Sequence, residues 1–215
     1  MNITELAKRL PQYDEQEARS IVRLLLFDVF GLTLTDICGG ALDNLNPEEQ
    51  SLLEQLMRQL EEGAPVQYVT GKALFADRTF HVRPGVLIPR PETEELCQMV
   101  ERHSPKQAKV LDIGTGSGCI AITLALNIPQ ASVTAWDISR EALSIAEENA
   151  HRLGATVDFQ LQDALSPPED DEKWDVIVSN PPYICINEQK DMEPHVLNHE
   201  PHQALFVPDD NPLLF

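Results

Sequence analysis

The chain has 215 residues, 42% of them hydrophobic and 24% charged, which suits one folded domain or a mid-sized domain joined to a small one. Its formal net charge of −19 argues against direct nucleic-acid binding, because tight contact with a phosphate backbone requires clustered lysine and arginine. The most apolar stretch, residues 24–34, is interrupted by Asp28 and Gly31 and is too short to span a bilayer. The N-terminus lacks the apolar core of a signal peptide, so a cytoplasmic protein that does not bind membranes is expected.

Residues 1–64 are predicted to form a helical domain. Asp14 and Glu17 are typical of a helix start, and Gly31 is typical of the residue that ends a helix. A second helix is predicted to begin after Asn46, and Gly63 ends it. Apolar residues at helical spacing predict that one face of this helix lies in a bundle core: Leu52, Leu53, Leu56, Met57 and Leu60.

Residues 65–90 differ in composition and are predicted to form a linker that contains a β-hairpin. Proline, glycine and β-forming residues alternate here, which indicates a pair of strands between Tyr68 and Val82. Pro91 and the acidic residues after it are typical of a helix start, and this helix is predicted to continue to about His103. The third segment, residues 91–215, begins with this helix.

Strands and helices alternate from residue 108 onward. Strands are predicted at 109–113, 132–136, 157–161 and 174–179, and helices at 118–127 and 139–154. Crossovers this short indicate a parallel, doubly wound sheet, in which ligands bind beyond the carboxyl ends of the strands. The residues that follow each strand are therefore the first candidates for a functional site.

The first strand runs into a glycine-rich turn. Glycines let the backbone turn tightly and let a ligand approach where a Cβ atom would otherwise stand. Many such turns bind nothing, but this one follows a strand and opens a helix, as nucleotide-binding turns do. The candidate ligand-binding residues here are Asp112, Gly114, Thr115, Gly116, Ser117 and Gly118.

Acidic residues follow the next two strands. The Asp137 carboxylate could accept hydrogen bonds from both hydroxyls of a ribose, or it could be a solvated cap of the next helix. Gln162 and Asp163 could flank an adenine, or they could belong to a short polar loop. A glycine turn followed by an acid fits either a dinucleotide or S-adenosylmethionine.

The glycine spacing favours S-adenosylmethionine. Dinucleotide-binding turns have the pattern G-x-G-x-x-G, in which the last glycine eases helix packing, whereas this chain has G-x-G-x-G with Cys119 in the last position. The turn also offers no positive group that would suit a pyrophosphate. The four cysteines form no CxxC pair, and no metal site is predicted.

The fourth strand ends on Asn180, Pro181, Pro182 and Tyr183. An amide or exocyclic amino nitrogen is a poor nucleophile, because its lone pair is delocalised. Two acceptors, the Asn180 side-chain oxygen and the Pro181 carbonyl, could orient such a nitrogen toward a methyl donor. The prolines would stiffen the turn, and Tyr183 would offer a flat face to a planar substrate group.

Four segments of the chain together resemble the glutamine-N5 methyltransferases that modify peptide chain release factors, known as the PrmC or HemK family. They are "PVQYVTG" at 65–71, "LIPRPETEEL" at 87–96, "VLDIGTGSGCIAI" at 110–122 and "SNPPYI" at 179–184. The resemblance covers nearly the whole chain in the family's order. Asn-Pro-Pro-Tyr alone also occurs in adenine-N6 methyltransferases of nucleic acids. The resemblance to the release factor family therefore depends on the four segments together.

The resemblance implies an α/β fold with a small N-terminal helical bundle, a β-hairpin linker and a Rossmann-like class I methyltransferase domain. It implies that S-adenosylmethionine binds the glycine turn and Asp137, that Asp112 orients the methionine part, and that Asp163 and Ala164 flank the adenine. The family sometimes has a large side chain at the position of Ala164, so only backbone contact is expected there. Asn180 to Tyr183 would hold the glutamine amide of a release factor's Gly-Gly-Gln loop, with Asn180 and Pro181 as the catalytic pair and Asn180 also close to the cofactor.

The resemblance also implies that the helical domain helps to dock the release factor, and a monomer is expected. The family's catalytic domain usually continues with a further helix and strands, so we expect this chain to be a fragment with an exposed sheet edge. Two alternatives remain open at this point. One is an adenine-N6 methyltransferase, against which the charge and the lack of a basic recognition segment count, and the other is a cofactor-binding fragment without turnover.

Overall fold

The computed structural model describes residues 2–168, 172–192 and 194–209. These residues form two compact units. The first contains residues 2–72 and 194–199, and the second contains residues 73–168, 172–192 and 200–209.

The first unit is helical, as predicted. Its elements are α1 (Ile3–Ala7), α2 (Glu15–Phe30), α3 (Leu34–Cys38), a 3-10 turn (Ala41–Asn44), α4 (Pro47–Glu61), α5 (Val66–Thr70) and α9 (Pro194–His199). Asp14 caps α2 and Gly31 ends it with a left-handed conformation, while Asn46 caps α4 through a reciprocal hydrogen bond with Glu49. The predicted face of α4 is buried except for Leu52, which is 39% exposed.

The predicted strand pair is present but begins later than expected. β1 (Lys72–Phe75) and β2 (Arg78–His81) form a two-stranded sheet, joined through Ala76 and Asp77, both of which have positive φ. The prediction that Tyr68 lies in a strand is wrong, because residues 66–70 form the short helix α5. Pro65 precedes this helical turn and Gly71 ends it in a left-handed conformation, and these two residues outweigh the β propensity between them.

The second unit is built on a parallel four-stranded sheet, as predicted. Its elements are β3 (Lys109–Ile113), β4 (Ser132–Asp137), β5 (Asp158–Leu161) and β6 (Val176–Ser179), with the helices α6 (Pro91–His103), α7 (Cys119–Asn127) and α8 (Arg140–Leu153). The strand order is β5-β4-β3-β6, and all neighbouring strands are parallel. The chain therefore moves outward from β3 to β5 and then returns to the other side of β3.

That reversal places a crevice between the carboxyl ends of β3 and β6. Ligands of open α/β sheets bind at such a switch point. The register pairs Ile113 with Ser179, so the glycine turn after β3 and the Asn-Pro-Pro-Tyr segment after β6 begin at the same level. The two strongest sequence motifs are adjacent for this reason.

Smaller elements follow β6. They are β7 (Ile184–Cys185), a 3-10 turn (Ile186–Asp191), α10 (His202–Leu205) and β8 (Phe206–Val207), with β7 and β8 paired in parallel. Among the described strands β6 is at one edge of the main sheet, and its Ile177 side chain is 61% exposed. None of the described helices combines the length and apolar character needed to cross a membrane.

Candidate functional site

The glycine turn leaves room for a ligand beside its backbone. Gly114 and Gly116 have φ values of +74° and +56°, and a Cβ atom added to either would meet no atom within 4 Å. The N–H groups of Gly114 and Thr115 both donate to the carbonyl of Trp136, at 2.9 and 3.0 Å. The turn is thus fixed to the end of β4 while its glycines stay open, as close approach of a ligand requires.

Gly118 has a different role. A Cβ atom here would lie 2.8 Å from Ile122 Cδ1 and 3.0 Å from Ala146 Cβ, so the absence of a side chain permits α7 and α8 to pack closely. In the dinucleotide pattern this task belongs to the last glycine, which the sequence analysis found to be missing at Cys119. The structure assigns the packing role to Gly118 instead.

Both carboxylate oxygens of Asp137 accept backbone hydrogen bonds, and one of these bonds holds the glycine turn. Oδ2 accepts a hydrogen bond from the Gly116 N–H at 2.9 Å, and Oδ1 accepts one from the Ser139 N–H at 2.8 Å. Ser139, rather than Asp137, caps α8 through its hydroxyl. Each carboxylate oxygen keeps a second lone pair, so Asp137 can still accept hydrogen bonds from a diol.

Asp112 is fully buried at the end of β3. Its Oδ2 accepts a hydrogen bond from the Thr115 hydroxyl at 2.7 Å, whereas Oδ1 has no hydrogen-bond partner among the described residues. Burial raises the pKa of Asp112 to about 7, although the Thr115 hydroxyl partly opposes this effect. An ammonium group of a ligand is the kind of partner that such a carboxylate lacks.

Asp112 is expected to make the stability of the second unit depend on pH. Its pKa is about 7 in the folded chain against an ordinary value of 3.8, so between these values the folded state binds the proton and the unfolded state does not. Asp112 should therefore contribute a loss of stability to the ligand-free protein as pH rises from about 4 to 7. Asp112→Asn should remove this loss and gain up to about 4 kcal/mol relative to the parent over that interval.

Urea denaturation at several pH values, followed by fluorescence, measures this difference. Both tryptophans, Trp136 and Trp174, belong to the second unit, so the signal reports on the part of the chain that contains Asp112. The buried side-chain NH₂ group of the Asp112→Asn variant lowers the free energy of unfolding by an amount that does not vary with pH. Parallel pH profiles for the parent and the variant would contradict the prediction.

The segment that follows β5 is hydrogen-bonded to the end of β4. The Gln162 N–H donates to the Asp137 carbonyl at 3.0 Å, and the Asp163 carboxylate accepts from the Leu165 N–H at 2.9 Å. Asp163 and Ala164 are both half-buried. This turn stands beside the ribose candidate Asp137, where the sequence analysis placed the adenine-binding residues.

The Asn-Pro-Pro-Tyr segment and the glycine turn follow two residues that are hydrogen-bonded to each other. The Ser179 hydroxyl donates to the Ile113 carbonyl at 2.9 Å. Asn180 follows at once, half-buried, and its Nδ2 donates to the Thr93 hydroxyl oxygen at 3.4 Å. Tyr183 is 72% exposed, so its ring face is accessible from outside.

Two further residues connect the candidate site to the segments around it, and neither is predicted from the sequence to have this role. Asn149 is fully buried on α8, where it donates to the Ser117 and His81 carbonyls and accepts from the His81 N–H. An asparagine on the otherwise apolar face of α8 was the available signal. Glu200 is also buried and binds the loop before α6, and no local pattern around it indicates this contact.

Comparison with known families gives two matches along the chain. Residues 91–204 match the model described as "Methyltransferase small domain". Residues 3–71 match the model described as "PrmC N-terminal domain". The first match contains the glycine turn, both acidic strand ends and the Asn-Pro-Pro-Tyr segment.

Curated proteins named "Release factor glutamine methyltransferase" are similar over most of the chain. The protein of Bacteroides thetaiotaomicron is 46% identical over 204 residues, which are 94% of this chain and 73% of that protein. The protein of Flavobacterium psychrophilum is 40% identical over 208 residues, again 94% and 73%. The protein of Bacillus anthracis is 38% identical over 218 aligned positions, 98% of this chain and 77% of that protein.

Proposed function

This chain belongs to the release factor glutamine methyltransferase family, and on that premise we propose that it methylates the glutamine side-chain nitrogen in the Gly-Gly-Gln loop of a release factor. It is an S-adenosylmethionine-dependent methyltransferase. The observation that supports the proposal is the hydrogen bond from the Ser179 hydroxyl to the Ile113 carbonyl, because these two residues directly precede the Asn-Pro-Pro-Tyr segment and the glycine turn.

The residues present fit S-adenosylmethionine. Open space beside Gly114 and Gly116 accommodates a ligand against the backbone, and the unpartnered Asp112 Oδ1 suits the ammonium group of a methionine moiety. Asp137 offers two oxygens to the ribose hydroxyls, and the turn at Asp163 and Ala164 would flank the adenine. When bound, S-adenosylmethionine supplies a methyl group on a positively charged sulfur.

The protein's own groups act on the substrate amide. We assign Asn180 Oδ1 and the Pro181 carbonyl as acceptors for the two N–H groups of the glutamine, which orient the nitrogen and favour its more tetrahedral, electron-rich form. Pro181 and Pro182 limit the motion of this turn, and Tyr183 would cover the planar amide. No strong base is needed, since the nitrogen can lose its proton after the methyl group has transferred.

The domain limits remain a prediction: residues 1–64 as a helical docking domain, 65–90 as a linker and 91–215 as the catalytic domain. We propose that the helical unit contacts the release factor outside its Gly-Gly-Gln loop. A groove of about 380 Å³ on that unit, lined by both polar and apolar side chains, exposes Leu24, Phe27 and Leu34 and could make such a contact.

A transfer assay tests the proposed function. The protein is incubated with methyl-labelled S-adenosylmethionine and either a release factor or DNA, and the label is located by mass spectrometry of the digested product. We expect the label on the glutamine of the Gly-Gly-Gln peptide, and none on a release factor whose glutamine is replaced by alanine. Label on adenine, with none on glutamine, would show instead a nucleic-acid methyltransferase.

A further inference from the structure

We propose that Thr93 is a positioning residue that fixes which way the Asn180 side-chain amide faces; the inference rests on the proposed function. Thr93 lies in the first turn of α6 and is only 7% exposed. Its hydroxyl oxygen accepts the hydrogen bond from Asn180 Nδ2, at 3.4 Å. This distance is long for a hydrogen bond, as contacts in a catalytic site often are before substrate binds.

The orientation of Asn180 matters because its amide group has an acceptor on one side and a donor on the other. With Nδ2 directed to Thr93, Oδ1 lies on the opposite side and is available to a substrate N–H. Rotation of the amide by half a turn would present an N–H to the substrate N–H, and the two donors would repel each other. In the structure the Thr93 oxygen accepts from Nδ2, and this contact stabilises the orientation that leaves Oδ1 to the substrate.

The loop that precedes Thr93 is held by a buried carboxylate. The Glu200 side chain is 1% exposed, pairs with the Arg90 guanidinium and accepts from the Ile88 N–H at 3.1 Å. The Thr93 N–H donates to the Arg90 carbonyl at 3.0 Å. The start of α6 is thereby anchored at residues 88 and 90, which fixes the place of the Thr93 hydroxyl.

The segment after Glu200 also holds the far side of the Asn-Pro-Pro-Tyr turn. β7 begins directly after Tyr183, and its Ile184 pairs with Phe206 of β8. Residues 200–207 thus contact both the strand that follows Asn180 and the loop that precedes Thr93. The segments that carry the Thr93 and Asn180 side chains therefore share one set of contacts, those of residues 200–207.

A comparison of three variants tests the role of Thr93. Thr93→Val keeps the shape and removes the acceptor, Thr93→Ser keeps the acceptor, and Thr123→Val makes the same change at a buried hydroxyl that has no partner among the described residues. We expect Thr93→Val to lower kcat for glutamine methylation by about tenfold or more, with KM for S-adenosylmethionine unchanged within about twofold. Thr93→Ser should restore most of kcat, and Thr123→Val should retain it.

A second readout does not depend on turnover. In a protein with ¹⁵N-labelled asparagine, Thr93→Val should shift the side-chain NH₂ signals of Asn180, while Thr93→Ser and Thr123→Val should leave them close to those of the parent. Either unchanged kcat or unchanged Asn180 signals in Thr93→Val would overturn the proposal. So would an equal loss of kcat in Thr123→Val, since that result indicates a general packing effect.

Assays of the parent protein distinguish a failure of this inference from a failure of the proposed function on which it rests. Transfer to glutamine by the parent, together with full activity of Thr93→Val, would overturn the role of Thr93 alone. Transfer by the parent to another group would overturn the proposed function, and the assignment of Thr93 to glutamine orientation would fall with it.

Discussion

Replacing Asn180 with alanine is expected to reduce kcat for glutamine methylation by about 10²–10³-fold, because one of the two acceptors that orient the substrate nitrogen is lost. The Asn180 amide is half-buried and already contacts Thr93, so its removal leaves a gap that water fills without the same geometry. The affinity for S-adenosylmethionine should fall much less, since the glycine turn and Asp137 are unaltered. The loss should therefore appear in kcat.

Single-turnover methylation of a release factor, with saturating S-adenosylmethionine, measures this effect directly. Asn187→Ala is the matched control, because Asn187 is an exposed asparagine shortly after the same motif. We expect Asn187→Ala to keep the parent rate within about twofold. Full activity of Asn180→Ala on the release factor would contradict the mechanism proposed for the amide.

Replacing Asp137 with alanine is expected to weaken S-adenosylmethionine binding by roughly 100-fold or more. Two charge-assisted hydrogen bonds to ribose hydroxyls would be lost, and each such bond contributes about 1.5–3 kcal/mol. The same change removes the acceptors of the Gly116 and Ser139 N–H groups, so the glycine turn also loses a constraint. Saturating cofactor should restore most of kcat, unlike in the Asn180 variant.

Isothermal titration calorimetry with S-adenosylhomocysteine measures this loss without catalysis. Asp158→Ala is a suitable control, since Asp158 is an exposed aspartate at the opposite end of the neighbouring strand β5. An Asp137→Ala variant with unchanged affinity would show that Asp137 serves only to hold the turn.

Local features of the chain were predictable because short-range interactions control them. Asp14 and Asn46 cap their helices through backbone groups three residues away, and Gly31 adopts the left-handed conformation that ends a helix. The β propensity of the residues around Tyr68 predicts a strand, whereas residues 66–70 form a helical turn between Pro65 and Gly71.

The sequence by itself determined the helical first unit, the parallel sheet and the two motifs at its strand ends, since hydrophobic periodicity, caps and glycine spacing act over a few residues. Only the tertiary structure brought Thr93 to Asn180 and Glu200 to Ile88, across 87 and 112 residues of chain. It also showed that Gly118 permits α7 and α8 to pack closely, and that buried Asn149 is hydrogen-bonded to the glycine turn. These contacts depend on how distant segments pack, and no local pattern specifies that packing.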